Sequence, residues 1–136
     1  MKAIVLKKYG STNDLELTEI PKPVIGDDEV LIRLLYTSLN AADLDFVHGH
    51  PLIRFTGLRK PGFPILGSDL VGIIDENWRD VTGFEVGELV WADTSNPAAY
   101  GTFAEYVKVK PAIIQKLPAG IPLPDAACLP TAAIVA

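Results

Sequence analysis

The stretch Phe63-Pro64-Ile65-Leu66-Gly67-Ser68-Asp69-Leu70-Val71-Gly72-Ile73-Ile74-Asp75 decides how this chain is read. Pro64 fixes an extended approach, Gly67 supplies a backbone corner, and Leu70 to Ile74 form an apolar strand interrupted by Gly72. A glycine inside such a strand marks a bulge or a close backbone approach. Ser68 and Asp69 put two small polar groups at the mouth of that strand. They either make a turn or furnish a site at the edge of a packed sheet. Gly67 and Gly72 match the first part of a phosphate-cradling loop, but Ile73-Ile74 stand where Lys and Ser/Thr would have to be. That function is excluded.

Working outward, Ala3 to Leu6 reads as a first strand and Leu15 to Ile20 as a second, stopped by Pro21 and Pro23. Gly26-Asp27-Asp28 is a turn. Glu29 to Leu39 is a long strand with leucines on both faces, which implies burial on both sides for part of its length. Asn40 caps a short helix, Asp43 returns the bond, and Gly49 ends it. Residues 50–62 form a loop. Beyond the central strand, Asn77 to Asp80 turn the chain, and strands follow over Glu88 to Ala92 and Phe103 to Val109, with a loop from Asp93 to Tyr100 between them. Pro111 to Pro124 is extended and punctuated by prolines. From Asp125 the composition changes to small helix-forming residues. Short strands with a turn signal every ~8–12 residues predict an all-β barrel or sandwich. The expected division is a barrel domain over 1–124 and, over 125–136, the start of a connection to a further domain.

The 136 residues, 49% of them hydrophobic, suit one domain with a real core. Twelve basic against 17 acidic residues give a net charge of −5, and no basic run exceeds Lys7-Lys8. Nucleic acid and an anionic membrane are therefore not expected as partners. A single cysteine, Cys128, forms no internal disulfide, so a reducing, cytoplasmic location is expected. The apolar run Ala3 to Leu6 is too short for a signal peptide, and none approaches the ~20 residues of a membrane span.

The order of these pieces resembles the N-terminal GroES-like domain of the medium-chain dehydrogenases/reductases, in the zinc-independent quinone oxidoreductase (zeta-crystallin-like) branch. The resemblance is carried by Glu29-Val30-Leu31-Ile32 leading to Ser38-Leu39-Asn40-Ala41-Ala42-Asp43, and by Pro64 to Gly72. It continues through Phe84-Glu85-Val86-Gly87-Glu88-Leu89-Val90, Gly101-Thr102-Phe103-Ala104-Glu105-Tyr106-Val107 and Ala126-Ala127-Cys128-Leu129-Pro130-Thr131-Ala132. Each motif is weak alone, but together they span essentially the whole chain in one order. Asn77-Trp78 depart from the Val-Gly usual there, so that turn is expected to be reshaped. The fold implied is a mostly β, partly open barrel with short helices.

The resemblance also carries site expectations. Zinc-dependent relatives hold their metal with Cys at the position of Asn40, His at that of Ser68 and Glu at that of Asp69. Those ligands are missing here, as is the four-cysteine structural zinc lobe, so no zinc is expected. His48 and His50 lack a third strong ligand nearby and read as surface residues. The implied chemistry is hydride transfer from NADPH or NADH, bound mainly by an absent domain, to a quinone or to a conjugated carbonyl such as an enone or aldehyde. Asn40 is the catalytic candidate, as donor to the developing oxyanion or as holder of the nicotinamide ribose; it serves equally as a helix cap. Thr131 stands where the family touches the nicotinamide ring, or is a helix N-cap. Asp45 lies where relatives place a tyrosine proton donor, and otherwise belongs to a solvated helix face. Ser68 and Asp69 would line the substrate cleft. Cys128 reads as a buried structural thiol. The chain lacks G-x-G-x-x-G, so alone it is expected to be inactive, with an apolar end that either dimerises or is disordered. The competing reading is a stand-alone GroES-like interaction module without catalytic activity, using residues 50–62 as its contact loop.

Overall fold

The computed structural model describes residues 1–55, 57–62, 64–79, 81–95 and 101–135. Among the described residues seven strands run in chain order: β1 (Lys2–Leu6), β2 (Leu15–Glu19), β3 (Val30–Tyr36), β4 (Asp69–Asn77), β5 (Leu89–Asp93), β6 (Tyr106–Val109) and β7 (Gln115–Lys116). Helix α1 (Ala41–His48) follows β3, and α2 (Leu123–Ala127) and α3 (Pro130–Val135) close the chain. β1 and β2 pair antiparallel as a hairpin. The other five form one sheet in the order β6-β3-β4-β5-β7. Isolated bridges, Ala3 to Ala104 and Val5 to Ile65, tie the hairpin across this sheet without closing a barrel. The mostly β, partly open architecture expected from the sequence is what forms. No described helix is long and apolar enough to cross a membrane.

β4 is the central strand, and Gly72 shows why the opening stretch decides the fold. A Cβ there would stand 2.5 Å from Ile32 Cγ2 and 2.6 Å from the Arg33 carbonyl oxygen. The β3–β4 register also shifts beside it, between Leu34 and Tyr36. Glycine is thus required for β3 and β4 to come together. The alternation along β4 divides two cores. Leu70 and Ile74, fully buried, join Val30, Ile32, Val90 and Val107 in the main cluster. Val71 faces the other way, onto Ala126 and Ala127 of α2. Each such fully buried large aliphatic contributes about 1.5–3 kcal/mol relative to exposure. A third cluster, Leu6, Val47 and Leu66, fastens α1 to the hairpin side.

Several expected boundaries move. β4 continues to Asn77, whose side-chain amide donates to the Phe84 carbonyl at 2.7 Å, so the turn begins later than expected. β6 starts at Tyr106 rather than Phe103, and α2 runs across positions 124 and 125. Within loop 50–62, Ile53–Phe55 make a 3-10 turn. Arg54 holds the loop by donating to the Gly49 carbonyl at 2.9 Å, leaving Leu52, Phe55 and Leu58 exposed. The expected loop over 93–100 lies partly outside the described residues. Cys128 is a correction: it is exposed, not buried. It caps the C-terminal end of α2 with its Sγ toward the Pro124 carbonyl, while Ala126 and Ala127 take the inward face.

Candidate functional site

Three corners of the fold meet at one carboxylate. β3 ends at Tyr36 and runs through Thr37, Ser38 and Asn40 into α1. The Gly67 corner delivers Ser68 and Asp69 to the start of β4. The α2–α3 junction brings in Thr131. Strand parity puts Asp69 on the same face as Val71, the face that α2 covers. That is how residues 31 and 62 positions apart come to share one group.

Asp69 is fully buried, yet both of its oxygens are supplied with donors. Oδ1 accepts from the Thr131 amide at 2.8 Å and from Thr131 Oγ1 at 2.7 Å. Oδ2 accepts from Asn40 Nδ2 at 2.9 Å and from Ser38 Oγ. Four donors compensate the burial of one charge, which is the condition for keeping a carboxylate inside. Because a carboxylate only accepts, it is the nitrogen and not the oxygen of the Asn40 amide that faces it.

The remaining protons can be assigned in the same way. Thr131 Oγ1 spends its hydrogen on Asp69, so Ser68 Oγ, 3.1 Å away, donates to Thr131. Asn40 has a second amide hydrogen, with Ser68 Oγ at 3.2 Å and Ser38 Oγ at 3.3 Å. This bond is long and shared, so it is the hydrogen most easily redirected to another acceptor. Asn40, Ser38 and Thr131 are half-buried, whereas Ser68 and Asp69 are buried, so the cluster has a dry base and a reachable rim. The Ser68 carbonyl is held in turn by the Thr94 amide at 2.7 Å and Thr94 Oγ1 at 2.8 Å. Thr37 Oγ1 donates to the Asp69 carbonyl oxygen at 2.7 Å and lies 2.9 Å from Thr102 Oγ1.

A second buried carboxylate stands behind the first. Asp43 Oδ2 accepts from the Asn40 amide at 2.8 Å, which is the return bond expected at the start of α1. Its Oδ1 accepts from the Gly67 amide at 3.0 Å. Burial pushes the Asp43 carboxyl above its ordinary value, the charge of Asp69 adds to that, and the two amide bonds oppose it.

The structure thus brings Asn40, Ser68, Asp69 and Thr131 into one cluster. Asp45 stays outside it, exposed on α1, without the burial that a carboxyl proton donor needs. His48 and His50 are also exposed. Sequence reasoning missed Ser38, whose place at the end of the long β3 segment was the available signal, and the second bond of Asp43, which had none. A cavity of about 400 Å³ adjoins the cluster, lined by Trp91, Asp93, Ile113, Gln115, Pro130 and Ala133. It touches the cluster through Asp93, which pairs with Asp69 across β4 and β5 and has its Oδ1 3.4 Å from Thr131 Oγ1.

Residues 26–119 match the family described as the alcohol dehydrogenase GroES-like domain. The chain belongs to that family. This GroES-like domain is 29% identical over 138 residues to the 2-methylene-furan-3-one reductase of Solanum lycopersicum, covering 97% of this chain and 34% of the reductase. It is 30% identical over 138 residues to the chloroplastic NADPH-dependent alkenal/one oxidoreductase of Arabidopsis thaliana, covering 97% of this chain and 35% of that protein. It superposes on the quinone oxidoreductase from Coxiella burnetii with a TM-score of 0.86 and 28% identity, over 98% of this chain and 42% of that one. These matches lie in the quinone oxidoreductase-like branch of the medium-chain dehydrogenases/reductases. The GroES-like domain spans about a third of the length of the curated relatives it matches.

Proposed function

We propose that this domain forms the substrate-side wall of a zinc-independent, nicotinamide-dependent oxidoreductase acting on a quinone or a conjugated carbonyl. The observation that carries the reading is the cluster around Asp69. At the positions of the zinc ligands of related enzymes stand an amide, a hydroxyl, and a carboxylate whose two oxygens are already occupied by four donors. Among the described residues no group of His, Cys, Asp and Glu has the arrangement of a metal site. This donor set does not fit zinc, which takes thiolate, imidazole or free carboxylate ligands at ~2.0–2.3 Å.

Without a metal, charge that develops on a carbonyl oxygen has to be met by hydrogen-bond donors. Asn40 is the residue for that role. Its first hydrogen is fixed on Asp69, which aims the amide plane; its second, shared over 3.2 and 3.3 Å, is free to turn to the substrate oxygen. Thr131 is anchored to Asp69 through both its amide and its hydroxyl, and by the resemblance it is the residue that would touch the nicotinamide ring. A reduced nicotinamide supplies the hydride. Its pyrophosphate has no glycine-rich cradle in this sequence, and would be held elsewhere in the enzyme.

The NADPH dependence named for the Arabidopsis relative and the substrates named for the tomato and Coxiella relatives support this reading. The test is the consumption of NADPH by the gene's complete product with a 2-alkenal, a benzoquinone and a saturated aldehyde offered separately. Turnover with at least one of the first two is expected. Turnover confined to the saturated aldehyde would contradict the proposal.

A further inference from the structure

Asp43 is a carboxyl group buried to 5% exposure with no cation beside it among the described residues, and its neighbour is another buried carboxyl, that of Asp69. Such a group is unfavourable unless its hydrogen bonds do something that an apolar side chain could not. Its two bonds run to two different chain corners. Oδ2 takes the amide of Asn40, at the mouth of α1, and Oδ1 takes the amide of Gly67, 24 residues further on, at the corner that delivers Ser68 and Asp69.

The Gly67 corner has no slack on its other side. Its φ is +93°, a left-handed conformation suited to glycine, and a Cβ would strike Thr102 Oγ1 and stand 2.6 Å from the Phe103 ring. Its carbonyl accepts from the amides of Gly101 and Thr102 at 3.3 and 3.4 Å. The corner is thus wedged against Thr102 and Phe103 on one side and drawn to Asp43 on the other. Asn40 is gripped at both ends, its backbone amide by Asp43 and its side-chain amide by Asp69.

We infer that Asp43 is a positioning residue: one carboxylate bridges the Asn40 and Gly67 amides and so sets the alignment of the Asn40 side chain on Asp69. It touches no substrate and acts through Asn40. The bridge needs two acceptor oxygens on one short side chain. In Asp43→Asn one of the two backbone amides would face an NH₂ group, and the two corners would part.

The inference rests on the proposed oxidoreductase function only for its kinetic readout; its structural readout is independent. In the unmodified protein, scalar couplings across the hydrogen bonds should connect Asp43 Cγ with the amide nitrogens of both Asn40 and Gly67. Absence of either coupling would overturn the bridge without recourse to a variant. In Asp43→Asn, the side-chain NH₂ signals of Asn40 should shift and the Gly67 amide should exchange about tenfold faster. Leu44→Ala, on the exposed part of the same helix, should leave both unchanged. Unchanged Asn40 and Gly67 signals in Asp43→Asn would also overturn the inference. In the complete enzyme, Asp43→Asn should lower kcat with little change in the KM for the nicotinamide. Shifted Asn40 signals with an unaltered kcat would leave the bridge standing and would instead remove Asn40 from the proposed mechanism.

Discussion

Replacing Asp69 by alanine removes the one acceptor on which the three corners of the site converge. Four donors lose their partner: the Thr131 amide, Thr131 Oγ1, Asn40 Nδ2 and Ser38 Oγ. The two hydroxyls can rotate toward other oxygens. The Thr131 amide is fixed by its backbone, and the Asn40 amide can turn only by leaving Ser68. Each stranded buried donor costs about 1–3 kcal/mol, which for two gives roughly 2–6 kcal/mol. Loss of a buried charge next to Asp43 returns part of this. A net loss of about 3 kcal/mol is expected, and for a domain of this size that lowers Tm by about 10 °C. Asp69→Asn keeps one oxygen for the two Thr131 donors and turns an NH₂ toward Asn40, so about half that effect is expected. The assay is thermal unfolding followed by circular dichroism on the unmodified chain and both variants. Near-identical midpoints for all three would refute the reasoning, because the carboxylate would then not be holding the cluster.

Gly72→Ala should fail to fold or lose more than about 2 kcal/mol in denaturant unfolding, since its Cβ meets backbone as well as the Ile32 side chain. Asn40→Ala in the complete enzyme should lower kcat about 10²-fold or more, the usual effect of losing a donor to a developing oxyanion, with the fold unchanged by circular dichroism. Asp43 has a raised pKa, so the folded chain holds that proton longer than the unfolded one. Its contribution to stability is therefore largest at low pH and falls as pH rises from its ordinary 3.8 through the folded value, a slope that Asp43→Asn should remove from a pH series of unfolding curves. Glu29 behaves oppositely: burial alone would raise its pKa, but the Gly26 amide and Lys108 outweigh it and hold it below 4.5. Its contribution is present above that value and lost as pH falls through the lower folded one, and Lys108→Met should reduce the loss. Cys128 should react with a maleimide in the native chain about as fast as in the unfolded chain, because it is exposed.

The sheet was legible because its signals are local. Gly72 announced a close approach that the Ile32 and Arg33 contacts explain, and Val30, Leu31 and Ile32 announced burial on both faces of β3. The ends of elements were less so. β4 passes Ile74 to Asn77 because β3 continues to pair with it there, Val30 opposite Asn77, and no residue within the stretch reports that partner. Cys128 was misplaced for a related reason: an apolar neighbourhood in sequence does not say which side of a one-turn helix faces in. Of the site, Asn40, Ser68, Asp69 and Thr131 could be named from the motif order, but their convergence on one carboxylate is a property of strand pairing. Asp43 shows the limit most plainly. Its bond to the Asn40 amide follows from spacing within a helix turn, whereas its bond to the Gly67 amide depends on tertiary approach.

The central proposal is that, in the enzyme to which this domain would belong, donors around Asp69 and not a metal meet the developing charge. The most direct measurement is NADPH-dependent turnover of an enone by the complete enzyme, before and after exhaustive treatment with a zinc chelator and then with zinc restored. The rate should be the same in all three samples. A rate that disappears with the chelator and returns with zinc would contradict the account.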